Sequence, residues 1–235
     1  MVVTLSFDPI FVMDILNGIV VHGIKGDRSR YKPIDEYSMA VSSHDPFDVL
    51  KTINPKEVYI ADLDRIIRTG DNLSLIRDIA KNWCVIADIG IKNIQDLELG
   101  HHYLKNLVIG TETTNIDVIL KDRYLHDDII SLDIKDGKML KRDERFPDDP
   151  KIFLKDLNKY NVNSIIILLL DKVGTETGIN IAFLEKIRSI SSHKLIYGGG
   201  IRGLDDIERL KDVGIDGALI STAVHKKNIP LNFLR

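Results

Sequence analysis

The chain has 235 residues, 44% of them hydrophobic and 29% charged, a balance typical of a globular protein with a large core. The formal net charge is −3 and the basic residues are spread along the chain, which argues against a nucleic-acid-binding protein. A single cysteine, Cys84, excludes an internal disulfide and suits a reducing cytoplasm. The start of the sequence lacks a signal-peptide pattern, and the longest apolar run is too short to span a bilayer. We therefore expect a cytoplasmic protein that does not bind membranes.

Eight short apolar runs recur along the chain, and helical patterns separate them. Most runs are continuous, as expected for strands that are buried on both faces of a parallel sheet. Eight strands in β/α alternation predict an α/β fold, with a closed (β/α)8 TIM barrel as its simplest form. The runs are Ile10–Met13, Val58–Ala61, Val85–Ala87, Leu107–Ile109, Ile129–Leu132, Ile165–Leu170, Leu195–Tyr197 and Ala218–Ile220.

Start and stop signals bound the helices between these runs. Asp45-Pro46 and Asp149-Pro150, for example, combine a capping residue with a proline in the first turn. The predicted helices are Phe47–Ile53, Leu73–Asn82, Ile94–Tyr103, Lys151–Lys159, Ile181–Ile190 and Leu204–Val213. The long polar connection from Ile24 to His44 predicts a lid or binding loop. The final Pro230–Arg235 predicts one or two helical turns.

An internal repeat relates the two parts of the chain. Four pairs of segments match in the same order: Met13–Gly18 with Leu132–Gly137, Thr69–Asn72 with Thr177–Asn180, Ile89–Glu98 with Gly199–Glu208, and Ile109–Thr111 with Ile220–Thr222. This repeat predicts a single barrel domain over residues 1–235 built from two similar half-barrels. We call residues 1–122 the first half and residues 123–235 the second half.

Asp14 and Asp133 occupy equivalent positions of the repeat, and each ends an apolar run. A charged residue at the carboxyl end of a barrel strand is typical of a catalytic residue, because that end of the barrel carries the active site. A pair of facing carboxylates can divide acid and base work when their surroundings separate their pKa values. The alternative is that each aspartate caps a turn beside Gly18 or Gly137.

Glycines after the last two strands predict a phosphate site in the second half. Gly199 and Gly200 lie between a strand and a helix, where bare backbone amides bind anions, and Ser221-Thr222 follows the next strand. The alternative is a tight turn that needs glycine. The first half keeps Gly90 and Gly110-Thr111 at the equivalent positions but adds Asp88 and Glu112. We therefore predict one firmly bound phosphate in the second half, and a second that binds poorly or not at all.

Neither histidine nor cysteine predicts chemistry on its own. The seven histidines show no metal-ligand spacing, and we expect no metal site. His22 follows an apolar run and could reach the barrel mouth, although a strand-end role is the simpler interpretation. Cys84, beside Trp83 and just before a strand, is expected in the core.

These motifs resemble the histidine-biosynthesis barrel family, which comprises the HisA isomerase and the HisF cyclase. The resembling segments are Val12–Val21, Tyr59–Leu63, Gly110-Thr111, Ser131–Gly137, Gly174-Thr175 and Gly199–Ile201. The resemblance implies a barrel of the ribulose-phosphate-binding type and a small phosphorylated sugar as substrate, with no cofactor. It also implies substrate or phosphate contacts from eight residues: Gly110, Thr111, Gly174, Thr175, Gly199, Gly200, Ser221 and Thr222.

In the isomerase branch the reaction is an Amadori rearrangement of an aminoaldose to an aminoketose. By this resemblance Asp14 takes a proton from ribose C2, and Asp133 helps to protonate the ring oxygen. Leu168, Leu169 and Val173 replace polar residues that the family carries near its sixth strand. Three interpretations stay open: the histidine-pathway isomerase, a diverged paralogue with a singly phosphorylated substrate, and a non-catalytic barrel that binds a phosphometabolite or a partner protein. We expect a monomer or small homo-oligomer without a glutaminase partner.

Overall fold

A computed structural model describes residues 7–121 and 125–235. Its strands in chain order are β1 (Asp8–Leu16), β2 (Ile19–His22), β3 (Lys32–Pro33), β4 (Glu57–Asp62), β5 (Cys84–Asp88), β6 (Asn106–Gly110), β7 (Ile129–Lys135), β8 (Lys138–Met139), β9 (Ser164–Leu169), β10 (Leu195–Gly198) and β11 (Gly217–Ile220). Eight of these pair in parallel in the order β1-β4-β5-β6-β7-β9-β10-β11, and β11 returns to β1. The closed parallel barrel confirms the predicted (β/α)8 TIM fold.

The eight apolar runs predicted from the sequence coincide with the eight barrel strands, except that Leu170, the last residue of its run, begins a 3-10 turn after β9. Successive side chains alternate between the inside of the barrel and the helix layer, as the two-residue period of a strand requires. Ile10, Tyr59, Ile86 and Ile196 belong to an inner apolar cluster, whereas Phe11 and its outward-facing counterparts pack in the larger cluster with the helices. This alternation decides which strand-end residues face the barrel mouth.

The helices in chain order are α1 (Pro46–Ile53), α2 (Leu63–Ile67), α3 (Leu73–Ile79), α4 (Ile94–Tyr103), α5 (Ile116–Lys121), α6 (Pro150–Leu157), α7 (Ile181–Ile190), α8 (Leu204–Asp212) and α9 (Thr222–His225). The six predicted helices correspond to α1, α3, α4, α6, α7 and α8. Helix α3 ends at Ile79, three residues before the predicted Asn82. Asp45 caps α1 by accepting hydrogen bonds from the amides of Phe47 and Asp48, as its sequence predicts.

Two equivalent hairpins follow β1 and β7. Asn17 and Gly18 have φ angles of 52° and 79°, and Asp136 and Gly137 have 51° and 76°. Positive φ at both central residues is the mark of a type I′ turn, for which Asn-Gly and Asp-Gly are the preferred sequences. The turns reverse the chain into β2 and β8, which pair antiparallel with β1 and β7. The repeated glycines thus end the strands that carry Asp14 and Asp133.

A buried polar network holds the first hairpin. The side-chain amide of Asn72 donates to Asp62 at 2.8 Å and to Asp64 at 2.7 Å. Its carbonyl oxygen accepts from the backbone nitrogen of Gly18 at 3.0 Å, and Asp64 accepts from that of Asn17 at 2.7 Å. The network links β4 and the start of α3 to the turn after β1, so it fixes the end of the strand on which Asp14 lies.

The connection from Ile24 to His44 bridges three parts of the barrel mouth. It contains β3, which pairs with β2, and two short 3-10 turns. The backbone nitrogen of Lys25 donates to Val173 O at 3.0 Å, and that of Met39 donates to His225 O at 2.8 Å. The connection therefore joins the first strand to the loops that follow β9 and β11.

The chain after β11 packs back onto the barrel. A 3-10 turn over Leu231–Leu234 matches the expected terminal turn. Leu234 is fully buried, and its carbonyl oxygen accepts from the backbone nitrogen of Lys56 at 2.7 Å. Within residues 7–121 and 125–235, no helix has the length and hydropathy needed to cross a membrane.

Candidate active site

A cavity of about 240 Å³ opens at the carboxyl ends of the barrel strands. Seven of the ten site residues predicted from the sequence line it: Asp14, Asp133, Gly174, Gly199, Gly200, Ser221 and Thr222. Gly110, Thr111 and Thr175 are not among its lining residues. His22 is also absent from the lining; its ring is buried and stacks on Tyr37 with centroids 3.6 Å apart.

Asp14 lies within β1 and faces the cavity. It is opposite Val21 in the hairpin and beside Ala61 of β4 in the parallel ladder. Gly23 packs directly against its carboxylate, because a Cβ atom on Gly23 would come within 2.3 Å of Asp14 Oδ2. The missing side chain at Gly23 is thus what leaves room for the carboxylate at the cavity wall.

Asp133 lies on β7 and is 6% exposed. The Ser131 hydroxyl donates to its Oδ1 at 2.8 Å, and the backbone nitrogen of Glu112 donates to its Oδ2 at 3.1 Å. Burial, followed by the nearby carboxylates of Glu112 and Asp88, raises the pKa of Asp133 to about 7. A carboxyl group with that pKa holds a proton for a large part of the time at neutral pH, which is what a general acid needs.

Tyr59 is a cavity residue to which the sequence analysis gave no role. Its hydroxyl donates to Asp88 Oδ2 at 3.2 Å, and its side chain is 5% exposed. Burial and the charges of Asp88, Asp133 and Asp14 raise the pKa of Tyr59 well above its usual value, so the phenol stays protonated. The signal in the sequence was the alternation along β4, which places Tyr59 on the same inner face as Ala61.

The second-half segment predicted to bind phosphate has a backbone conformation that only glycine adopts readily. Gly199 and Gly200 have φ angles of 120° and 74°. A Cβ atom on Gly199 would lie 2.6 Å from Leu169 O, so a side chain is excluded there on steric grounds as well. Ser221 precedes the first residue of α9, and Thr222 is 9% exposed. The ends of two adjacent strands thus contribute two residues each to the cavity lining, and their amides and hydroxyls can bind an anion.

The equivalent first-half segment bonds to the protein's own carboxylates. The backbone nitrogen of Gly90 donates to Asp88 Oδ1 at 3.0 Å. The Thr111 hydroxyl accepts from the backbone nitrogen of Asp133 at 3.2 Å, and Gly110 is so close that a Cβ atom would lie 3.0 Å from Asp133 Oδ2. Gly110 and Thr111 therefore contact Asp133 and do not themselves line the cavity.

The loop after β9 closes the side of the cavity next to the second-half segment. Gly174 has a φ angle of 72°, and a Cβ atom there would lie 2.3 Å from Gly23 O. The Thr175 hydroxyl donates to Lys172 O at 2.7 Å and so stabilises the loop itself. Glu176 lines the cavity and forms an ion pair with Lys226, a contact that no motif in the sequence indicated.

Two further expectations concern metals and the cysteine. In the part of the chain that the structure describes, no group of histidine, cysteine, aspartate and glutamate side chains could hold a metal ion. The expectation that Cys84 is a core residue is wrong, because its side chain is exposed and lies 3.7 Å from Glu57 Oε1. Cys84 is the first residue of β5, at the amino-terminal edge of the barrel, where the strand is not yet covered.

Eight parallel strands around a carboxylate-lined cavity define a (β/α)8-barrel protein, and the cavity lies at the end of the barrel where enzymes with this fold carry their active sites. Residues 10–230 match the family described as histidine biosynthesis protein. The chain belongs to this family, which agrees with the resemblance read from its motifs.

The relatives of this chain include an uncharacterized protein and several named isomerases. An uncharacterized protein of Methanocaldococcus jannaschii is 34% identical over 221 residues, which cover 92% of each chain. A 1-(5-phosphoribosyl)-5-((5-phosphoribosylamino)methylideneamino)imidazole-4-carboxamide isomerase of Methanosphaera stadtmanae is 28% identical over 231 residues, 93% of this chain and 94% of that protein. The isomerase of the same name from M. jannaschii is 28% identical over 184 residues, 74% of this chain and 77% of that protein.

Proposed function

We propose that this protein is a HisA-like isomerase that converts a phosphorylated aminoaldose into the corresponding aminoketose. The observation that carries the proposal is the pair Asp14 and Asp133, which line one cavity in different surroundings. Asp133 has the raised pKa of a proton donor, and the space beside Asp14 is kept by Gly23. Membership of the histidine-biosynthesis family supports the same reaction class.

The proposed chemistry moves protons and needs no external oxidant or reductant. Asp133 gives its proton to the ring oxygen of the sugar, the bond between that oxygen and C1 breaks, and the amine nitrogen forms a double bond to C1. Asp14 then removes the proton from C2, which gives an enaminol. Return of a proton to C1, with loss of the C2 hydroxyl proton, gives the ketone at C2. The raised pKa of Asp133 suits its role as the acid, and the second carboxyl group, Asp14, is available as the base.

Substrate binding is proposed at the second-half end of the cavity. The backbone of Gly199 and Gly200, with Ser221 and Thr222, holds the phosphate of the substrate, and Gly174 borders the sugar. Gly110 and Thr111 act indirectly, because their contacts are with Asp133. The apolar side chains of the cavity exclude water from the reacting carbons, which favours proton transfer between the substrate and the aspartates.

A diverged paralogue of the histidine-pathway isomerase is the version of this function that we favour. Its support is that M. jannaschii has two relatives of this chain, and the uncharacterized one is the more similar, at 34% against 28% identity. The carboxylates Asp88 and Glu112 at the first-half end of the cavity point the same way.

The reaction can be tested with a simple phosphorylated glycosylamine. Ribose 5-phosphate and aniline condense in solution to such a compound, and carbon-13 NMR detects the ketone carbon of the rearranged product. We expect the purified protein to accelerate formation of this ketose. A rate equal to that of the buffer control, for the intact protein, would overturn the proposed reaction class. Rescue of a histidine auxotroph lacking the isomerase would instead identify the histidine-pathway enzyme.

A further inference from the structure

The two ends of the cavity can be compared at four equivalent positions of the repeat, of which two are shared and two differ. Glycine is shared at Gly90 and Gly200, and threonine at Thr111 and Thr222. The first half then has Asp88 where the second half has Gly198, and Glu112 where the second half has Ala223. Both first-half carboxylate residues line the cavity. The first-half end therefore keeps the glycine and threonine of the predicted phosphate site in the second half, but it carries two additional acidic residues.

At the first-half end, the backbone amides that could bind a phosphate already donate to carboxylates of the protein. The amide of Gly90 donates to the Asp88 carboxylate at 3.0 Å, and the amide of Glu112 donates to the Asp133 carboxylate at 3.1 Å. The Tyr59 hydroxyl also donates to Asp88. An anion at this end would have to replace these acceptors and would lie against two or three carboxyl groups.

Apolar side chains make up much of the remaining wall at the first-half end. Leu63 and Ile66 of α2 line the cavity after β4, and Leu140 lines it after β7. These strands flank β5 and β6, whose ends carry Asp88 and Glu112. An uncharged group with apolar surface fits this wall, whereas a phosphate there would lie beside the carboxylates of Asp88 and Glu112.

We propose that Asp88 and Glu112 are specificity-determining residues, which restrict the substrate to a single phosphate. That phosphate lies against Gly199, Gly200, Ser221 and Thr222, and the opposite end of the substrate is uncharged. The inference rests on the proposed function and adds to it the class of substrate: a monophosphorylated amino sugar with an uncharged substituent on nitrogen.

Two stable ligands test the proposal without relying on turnover. Reduction of the ribose 5-phosphate adducts of aniline and of 4-aminophenyl phosphate gives two secondary amines that differ in one terminal phosphate. Isothermal titration calorimetry measures their dissociation constants. We expect the wild-type protein to bind the monophosphate at least about tenfold more tightly than the bisphosphate.

Replacement of both carboxylates by uncharged side chains tests their role in the preference for the monophosphate. The double variant Asp88→Asn/Glu112→Gln removes the charges and keeps the side-chain sizes, and Asp88→Gly/Glu112→Ala introduces the residues of the second half. We expect both variants to reduce the preference to about threefold or less. The matched control Asp127→Asn/Glu185→Gln removes the same charge outside the cavity and should keep the wild-type ratio.

Three outcomes would overturn the specificity proposal. They are a wild-type protein that binds the bisphosphate as tightly as the monophosphate, one that binds neither ligand, and a double variant that binds the monophosphate with an unchanged ratio. Failure of the reaction is a separate result. If the monophosphate amine binds preferentially but the aniline glycosylamine is not rearranged, the specificity stands and the isomerase function does not.

Discussion

The two ends of the cavity are built from equivalent segments and have opposite electrostatic character. In the second half, Gly199 and Gly200 adopt left-handed conformations and line the cavity beside Ser221 and Thr222. In the first half, the matching amides bind carboxylates of the protein itself. The comparison teaches that the same backbone segment can direct its amides either to the cavity or to acceptors within the protein, here the carboxylates of Asp88 and Asp133. Four predictions test this comparison, and we order them by expected effect.

The largest effect is expected at the aspartates, where the two halves agree. Asp14→Asn and Asp133→Asn should each reduce kcat for the aniline glycosylamine by about 10²- to 10⁴-fold, because each removes a proton-transfer group. Steady-state kinetics on the folded variants measures this. The control is Asp171→Asn, which changes an aspartate outside the cavity lining and should stay near wild type. Activity within a factor of about three for either active-site variant would exclude its catalytic role.

The second prediction compares the loss of stability when either of two equivalent asparagines, Asn72 before α3 and Asn180 before α7, is replaced. Asn72→Ala should lower the free energy of unfolding by about 3 kcal/mol, because it leaves the buried Asp62 and Asp64 without their amide donor. Asn180→Ala should cost only about 1 kcal/mol, because Asn180 caps an exposed helix end by accepting from Phe183 N. Urea denaturation compares the two. Equal losses would show that the buried network contributes no more than an ordinary cap.

A smaller effect is expected when a carboxylate is placed in the second-half end. Ser221→Glu should weaken binding of the reduced aniline adduct by about 10- to 100-fold, because the new charge repels the phosphate. Ser221→Ala keeps the site uncharged and serves as the control, with a loss of about tenfold or less. Calorimetric affinities that are the same for glutamate and alanine at this position would place the phosphate elsewhere.

The smallest effect is a change in pH dependence caused by Glu112→Gln. The nearby Glu112 carboxylate helps to raise the pKa of Asp133 to about 7, so the wild-type kcat should fall as the pH rises above that value and Asp133 loses its proton. Removing the charge of Glu112 lowers the pKa of Asp133, and the falling limb should then move to lower pH. The kcat–pH profile between pH 5 and 9 checks this. A limb that stays in place, or moves upward, would contradict Asp133 as the acid.

The strands of the barrel were predictable because each one is a buried apolar run of its own. Asp14 and Asp133 could be named before any coordinates, because each ends an apolar run and the two occupy equivalent positions of the repeat. Pairing of the two halves indicated Asp88 and Glu112 as departures from the second half. These inferences all use patterns that are local in sequence or repeated once.

Features that depend on contacts between distant segments could not be predicted. Helices α2 and α9 have five and four residues, too short for a helical period to show. Thr111 matches Thr222 in sequence, yet its hydroxyl accepts from Asp133 because β6 and β7 are adjacent strands. The exposure of Cys84 depends on where β5 enters the barrel, which its apolar neighbours do not specify.

The contacts of the Ile24–His44 connection constrain how the cavity can open. Two backbone hydrogen bonds, from Lys25 to Val173 and from Met39 to His225, join it to the loops after β9 and β11. The backbones of Gly23 and Gly174 also meet too closely for any side chain to lie between them. Lys25, Gly26 and Tyr31 of this connection also line the cavity, so a displacement of the loop after β9 or β11 would be transmitted through these bonds to the cavity wall on the opposite side of β1.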